Sequence, residues 1–287
     1  MSRAIFADLD RAGIVARHPE VFRVDPVARG TRLGVVAAVV GLFCYGLWAL
    51  EFSPAAMLRG LSRLGEFAIL MVPPEWGTWA KLMLYLHSMV ETVAIAILGT
   101  LGAALLAFPF GVLAAANVIP QRIVHFLLRR GLDSLRAVDK LIWALIWINV
   151  VGLGPFAGVL AIICSDFGLF GKLFSEAIEV ADKKPVEGIV ASGGSGLHAV
   201  RFGIIPQILP VMLSQVLYQI ESNTRSATII GIVGAGGIGL HLSEAIRTLE
   251  WQQVSFLIIL VLIAVAGIDF VSSKLRFAII GRAATPV

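Results

Sequence analysis

The sequence predicts an all-α, polytopic membrane protein of about six transmembrane helices. The first observation behind this is composition: of 287 residues 58% are hydrophobic and 15% charged, with a mean hydropathy of +0.89. A soluble domain carries about 25% charged residues, and a core of this size cannot hide the surplus apolar surface, so lipid must cover it. The second is charge placement. The net charge of +4 would suit nucleic acid, but the basic residues stand in short clusters between long uncharged runs. That is the pattern of membrane topology, and it excludes a nucleic-acid partner. The third is the 29 glycines, which suit close helix packing in a bilayer. Cys44 and Cys164 lie inside apolar runs and read as small packing residues rather than a disulfide or metal site.

In chain order, residues 1–32 carry six arginines among four acids and read as a cytoplasmic N-terminal arm. This arm is too long for the charged start of a signal peptide, so the next apolar run is expected to be a retained helix. Leu33 to Leu50 is uncharged and long enough for a first span. Residues 51–81, with Pro54, Pro73 and Pro74, read as an external loop with a short interfacial helix, so 33–81 forms one unit ahead of a core at 82–277. Thr92 to Pro120 is uncharged, which predicts a second span from near Leu82 to near Asn117, with Pro109 as a kink site.

A basic stretch follows, with Arg122, Arg129, Arg130, Arg136 and Lys140, and is placed inside. The uncharged run Leu141 to Ser165 is followed by Lys172, Lys183, Lys184 and Arg201, which also require the inside. An even number of crossings is then needed, and Gly152-Leu153-Gly154-Pro155 is the turn. This gives a third span at about Val138–Val151 and a fourth at Phe156–Phe174. The third is roughly 21 Å long at 1.5 Å per residue, so it should lie inside the bundle. A fifth span at Ile208 to Val233, a glycine-rich turn, a sixth at Val254 to Val271 and a cytoplasmic tail at 278–287 complete the map. Eighteen of the 23 Lys and Arg fall in the inside segments, with both termini cytoplasmic.

The segment 175–210 is the longest inside insertion. Pro185 and Glu187 suit a helix start; Gly193, Gly194 and Gly196 break that helix; a second short helix runs through His198 and Arg201 to Pro206. Two short helices joined by a glycine elbow form a docking element for another protein. Glu187, Gly193 and Pro206 match the pattern E-A-A-x-x-x-G-x(9)-I-x-L-P, with Gly188 and Ile189 in place of the alanines, Gly203 in place of Ile and Ile205 in place of Leu. The segment thereby resembles the coupling loop of permease subunits of binding-protein-dependent ABC importers. The likeness runs from about residue 86 to 277. The stretch Ala227 to Gly239 looks most like phosphonate-type permeases, with methionine-type permeases second.

This resemblance implies the ABC importer type I permease fold and a second copy of the chain. It also implies two cytoplasmic ATPase subunits that hold ATP and magnesium, and an extracytoplasmic substrate-binding protein. On that reading the chain binds no cofactor, and Glu187, Gly193, Gly194, Ser195, Gly196, His198, Arg201 and Pro206 form the contact with the ATPase. Movement there would drive alternating access for phosphonate or a related phosphorus oxyanion, phosphate or phosphite. An ion-coupled secondary transporter and an intramembrane enzyme are the other classes. The first lacks an inverted repeat and the second a facing nucleophile and base.

Gly234, Gly236, Gly237 and Gly239 fit G-x-G-x-x-G, but no βαβ unit surrounds them, so they read as a bend near an external gate. Gly171-Lys172-Leu173 is no Walker A sequence, and the chain is not expected to hydrolyse ATP. Glu221, Asn223 and Arg225 lie within the fifth span, where charges are expensive and face a pathway or one another. Arg225 and Asn223 are candidates to meet an anion; equally, Glu221 and Arg225, four apart, are placed to pair. His87 and Glu91 are expected at the outer interface, Asp269 beside Lys274, and Trp76, Trp79 and Trp251 as interface anchors. Ser195 and His198 are three apart on a solvated loop without an orienting acid, which argues against a hydrolase pair.

Overall fold

The computed structural model describes residues 26–118 and 121–283, and no strand occurs among them. Residues 1–25 of the expected arm and 284–287 of the tail lie outside the described residues. The chain divides into two compact units, 1–66 and 67–287. The first holds α1 (Pro26–Ala49) and most of α2 (Pro54–Leu70). α1 begins at Pro26, a residue suited to a first helical position, so Arg29 and Arg32 belong to the helix rather than to an unstructured arm. Leu42, Phe43 and Trp48 are exposed along it, as a lipid-facing helix requires.

The second unit is built on α3 (Trp79–Leu113) and α6 (Pro155–Val180), which pack along most of their lengths. Small residues allow this: an added Cβ at Gly99 would lie 2.7 Å from the Ile162 side chain. α9 (Ile205–Ile232) packs on both, and α11 (Trp251–Ala283) on α9. One apolar core joins Ala103, Phe170, Phe174, Ile208 and Met212; a second joins Ile95, Ala161, Ile162, Ala227 and Ile230. α3 continues through Pro109, and α11 extends past the expected end at Val271 to carry Lys274 and Arg276 within the helix.

The basic stretch after α3 is α4 (Arg122–Ala137), an amphipathic helix lying along α6 rather than a free segment. Arg129 Nη2 reaches Glu179 at 2.7 Å, and Lys172 Nζ donates to Asp133 at 3.2 Å. That hydrogen bond, with the neighbouring cations, holds the Asp133 carboxyl below its ordinary range. The chain breaks at Val138–Asp139 and resumes as α5 (Lys140–Val151), capped by Asp139. Gly152 and Gly154, both with positive φ, make the predicted turn into α6.

α5 corrects one expectation. It packs on α6 through Ala144 but leaves Ile142, Leu145, Ile146 and Val150 exposed, so it is not enclosed within the chain. Twelve residues give only three turns, enough for one contact face. Among the described residues five helices have the length and composition to cross a membrane, and α5 is a shorter apolar sixth. The turn after α9 also holds more than expected: α10 (Ile238–Arg247) intervenes before α11.

Candidate functional site

Three groups of residues in the second unit hold the side chains singled out by the sequence. The first lies at the end of α6. α7 (Lys183–Ala191) starts at Asp182, whose carboxylate accepts from Lys184 N at 3.1 Å. It closes in a Schellman arrangement: Gly193 N donates to Val190 O at 3.0 Å and Gly194 N to Ile189 O at 2.9 Å. Gly193 has φ +87°, a conformation a side chain with Cβ resists, which is the reason for glycine at this place. Ser195 and His198 then cap α8 (Gly196–His198) reciprocally, with Ser195 Oγ and His198 Nδ1 3.0 Å apart. Their proximity is a capping box, not a catalytic pair.

The second helix of this element is not separate. α8 runs through a π-helical turn (Ala199–Ile204) straight into α9, with Pro206 in its first turn. Gln207, absent from the sequence reading, fixes the angle between the two arms. Its Oε1 accepts from Asp182 N at 3.0 Å while its Nε2 donates to Asp182 O at 3.1 Å and to Gly203 O at 2.6 Å. Glu187, His198 and Arg201 are exposed, as are Val190, Leu197 and Phe202; Arg201 lies over the Phe202 ring at 5.3 Å.

The second group closes the opposite end of α9. Gly234 O accepts from Gly154 N at 3.0 Å, Gly237 N donates to Glu91 Oε1 at 3.0 Å, and Ile238 N donates to Thr92 Oγ1 at 2.8 Å. Glu91 and Thr92 of α3 thus satisfy the free amides that start α10. Glu91 is a partner of the glycine loop rather than a free interfacial acid, and His87 is exposed.

The third group lies in mid-helix and separates residues the sequence had grouped. Glu221 Oε1 accepts from Arg225 Nη1 at 2.9 Å, and Arg276 Nη2 approaches Glu221 Oε2 at 3.8 Å and Asp269 Oδ1 at 3.7 Å. Asp269 therefore meets Arg276, while Lys274 stands over Phe270. Asn223 is on another face, wholly buried. Its amide donates to Asp166 Oδ2 and to Thr100 Oγ1 (2.7 Å), and its carbonyl accepts from Lys140 Nζ. Lys140 Nζ also lies 3.0 Å from Asp166 Oδ1, to which Gln219 donates at 3.2 Å. Two residues of helix turn about 200°, so Asn223 and Arg225 cannot share a face. Asn223 binds four helices together and is not open to a solute. Lys140, Asp166, Thr100 and Gln219 were missed. The signal available was Asp166, an acid directly behind the uncharged run ending at Ser165.

An all-α membrane unit with an exposed two-arm element at one end of its central helices defines a permease-like integral membrane protein. The comparisons make this specific: residues 107–282 match the family "Binding-protein-dependent transport system inner membrane component", and the chain belongs to it. It is 34% identical over 256 residues to the "Putative phosphite transport system permease protein HtxC" of Stutzerimonas stutzeri, covering 89% of this chain and 90% of that one. With the "Phosphate-import permease protein PhnE" of Mycolicibacterium smegmatis it shares 31% over 229 residues, 80% of this chain and 42% of that one. Among solved structures, the inward-facing MetNI methionine ABC transporter aligns with a TM-score of 0.62 at 18% identity, over 71% of this chain and 99% of that one. At that identity the likeness concerns the fold.

Proposed function

We propose that this chain is the membrane subunit of an ATP-driven importer that carries a phosphorus oxyanion, phosphite, phosphonate or phosphate. The observation that carries the reading is similarity over nearly the full length of both chains to a relative named for phosphite transport. The methionine importer is similar in fold alone and gives no support for methionine as substrate. The chain would work as a pair with two ATPase subunits, which hold ATP and magnesium, and with an extracytoplasmic binding protein. α7 and α8 would face the cytoplasm with both termini, as the basic clusters favour. The open apolar face of α5 and the half-exposed Arg225 on α9 are surfaces that a second copy would cover.

The pathway would follow the face of α9 that bears Glu221 and Arg225, and the glycine loop would lie near its external mouth. Uptake of phosphite, methylphosphonate, phosphate and methionine into cells lacking this chain, with and without its restoration, tests the assignment. Restored uptake of methionine alone would overturn it. Arg225→Ala is expected to lower oxyanion uptake about tenfold or more, the scale of one charge-assisted contact. Unchanged uptake and selectivity in that variant would remove Arg225 from the pathway.

A further inference from the structure

Glu221 stands where two guanidinium groups converge, Arg225 from its own helix at 2.9 Å and Arg276 from α11 at 3.8 Å. The carboxylate is largely covered, its side chain 12% exposed, whereas Arg225 is 50% and Asp269 56% exposed. Tyr218 adds a phenol on the same side, with Arg276 5.9 Å from its ring centre. A guanidinium pair facing an anion is how planar or tetrahedral oxyanions are held, and here the anion present is a side chain. Arg225 already neutralises Glu221 within α9 as an i,i+4 pair, so the carboxylate has a full partner before the second guanidinium is counted. The second arrives from a different helix, and Asp269, 3.7 Å away, gives it an alternative partner.

We propose that the Glu221 carboxylate is a tethered occupant of an oxyanion site formed by Arg225 and Arg276, displaced by a phosphorus oxyanion in transit. This rests on the proposed transport of such anions and adds where they pause. In the resting chain the carboxylate repels an approaching anion and keeps the guanidiniums from holding one permanently. Passage requires Glu221 to swing from Arg276, whose positive charge is then shared between the oxyanion and Asp269.

The test uses the full-length chain in complex with its ATPase subunits, without the binding protein. Thermal stability is measured against phosphite concentration, with chloride at matched ionic strength as control. Glu221→Gln removes the resident charge and keeps the shape; the variant should bind phosphite at least about tenfold more tightly than the parent, since a like charge near the site is lost. Glu221→Gln with Arg276→Gln should lose that gain. A Glu221→Gln complex that gains no phosphite-dependent stability overturns the proposal. Should that variant not assemble, protection of Arg225 and Arg276 in the parent complex from phenylglyoxal decides. Slower labelling of both with phosphite supports the site, and equal labelling with and without it overturns the proposal. Intact phosphite uptake by cells alongside either negative result would leave the transport assignment standing and remove only this site; absent uptake of phosphite, methylphosphonate and phosphate alike would remove the assignment.

Discussion

At the scale of single residues, the polar knot around Asn223 is where burial and charge conflict most sharply. Asp166 and Asn223 have lost essentially all contact with solvent, and Lys140, the first residue of α5, has a side chain only 17% exposed. A buried ion pair contributes little net stability, yet removing one partner leaves a bare charge that costs about 3–5 kcal/mol. Asp166→Leu alone should therefore sharply lower the melting temperature of the detergent-solubilised chain. Adding Lys140→Met should recover much of that loss, since the double variant strands no charge. Equal melting of single and double variants would mean that the pair carries no coupling. This knot was half legible. Asn223 stood out as a polar residue in an apolar run, but its surroundings did not, because Asp166 and Lys140 approach it from helices 57 and 83 residues away in sequence. The Glu221–Arg225 pair was legible in full, since its spacing alone brings the two side chains together.

At the scale of elements, one amide braces the approach of α7 to α9, beside the packing of Val186 and Ile189 on Gly203. Gln207 makes three hydrogen bonds to the backbone of Asp182 and Gly203, each contributing about 0.5–1.5 kcal/mol. Gln207→Leu should leave assembly and ATP hydrolysis near normal while lowering the amount of solute moved per ATP, because motion of α7 would no longer reach α9. A proportional fall in both rates would show a general loss of folding instead. The glycine elbow was readable from local chemistry, as glycines that end a helix; the starts were not placed, since Asp182 rather than Pro185 and Glu187 begins α7, and Ser195 caps α8. The continuity of α8 with α9 was not readable either, since His198 and Pro206 both look like boundaries and the π-helical turn between them has no sequence signature of its own. α4 escaped for a related reason. Its charges placed the stretch inside without naming a helix, whereas Glu179 and Lys172 of α6 supply the partners that let it pack.

At the scale of the whole molecule, the α7–α8 element presents exposed apolar side chains at its tip. Leu197 is 83% exposed at the tip, next to His198 and near Arg201 and Phe202. On the proposed function this tip would meet the ATPase subunits. Leu197→Asp should abolish recovery of the ATPase subunits when the tagged chain is drawn gently from native membranes, while the chain itself still reaches the membrane. Retention of two ATPase subunits per pair of chains in that variant would place the docking surface elsewhere. The long apolar helices were legible from uncharged runs, and five of them among the described residues have the length and composition of a span; the enclosure of each helix was not legible. A single chain's hydropathy does not distinguish a face meant for lipid from one meant for another subunit, and the exposed face of α5 is such a case.

The glycine loop after α9 bears on how such a molecule can move. Six residues so rich in glycine suggest a pliant joint, yet every part of it is fastened: to Gly154 before α6, to Glu91 and Thr92 on α3, and against α9, where a Cβ at Gly239 would lie 2.1 Å from the Thr228 carbonyl oxygen. Its glycines serve density rather than suppleness. The tip of α9, the start of α10 and the upper turns of α3 are welded into one block. Rocking of this block as a whole, with slack taken up elsewhere along the chain, is the kind of motion that leaves its bonds intact.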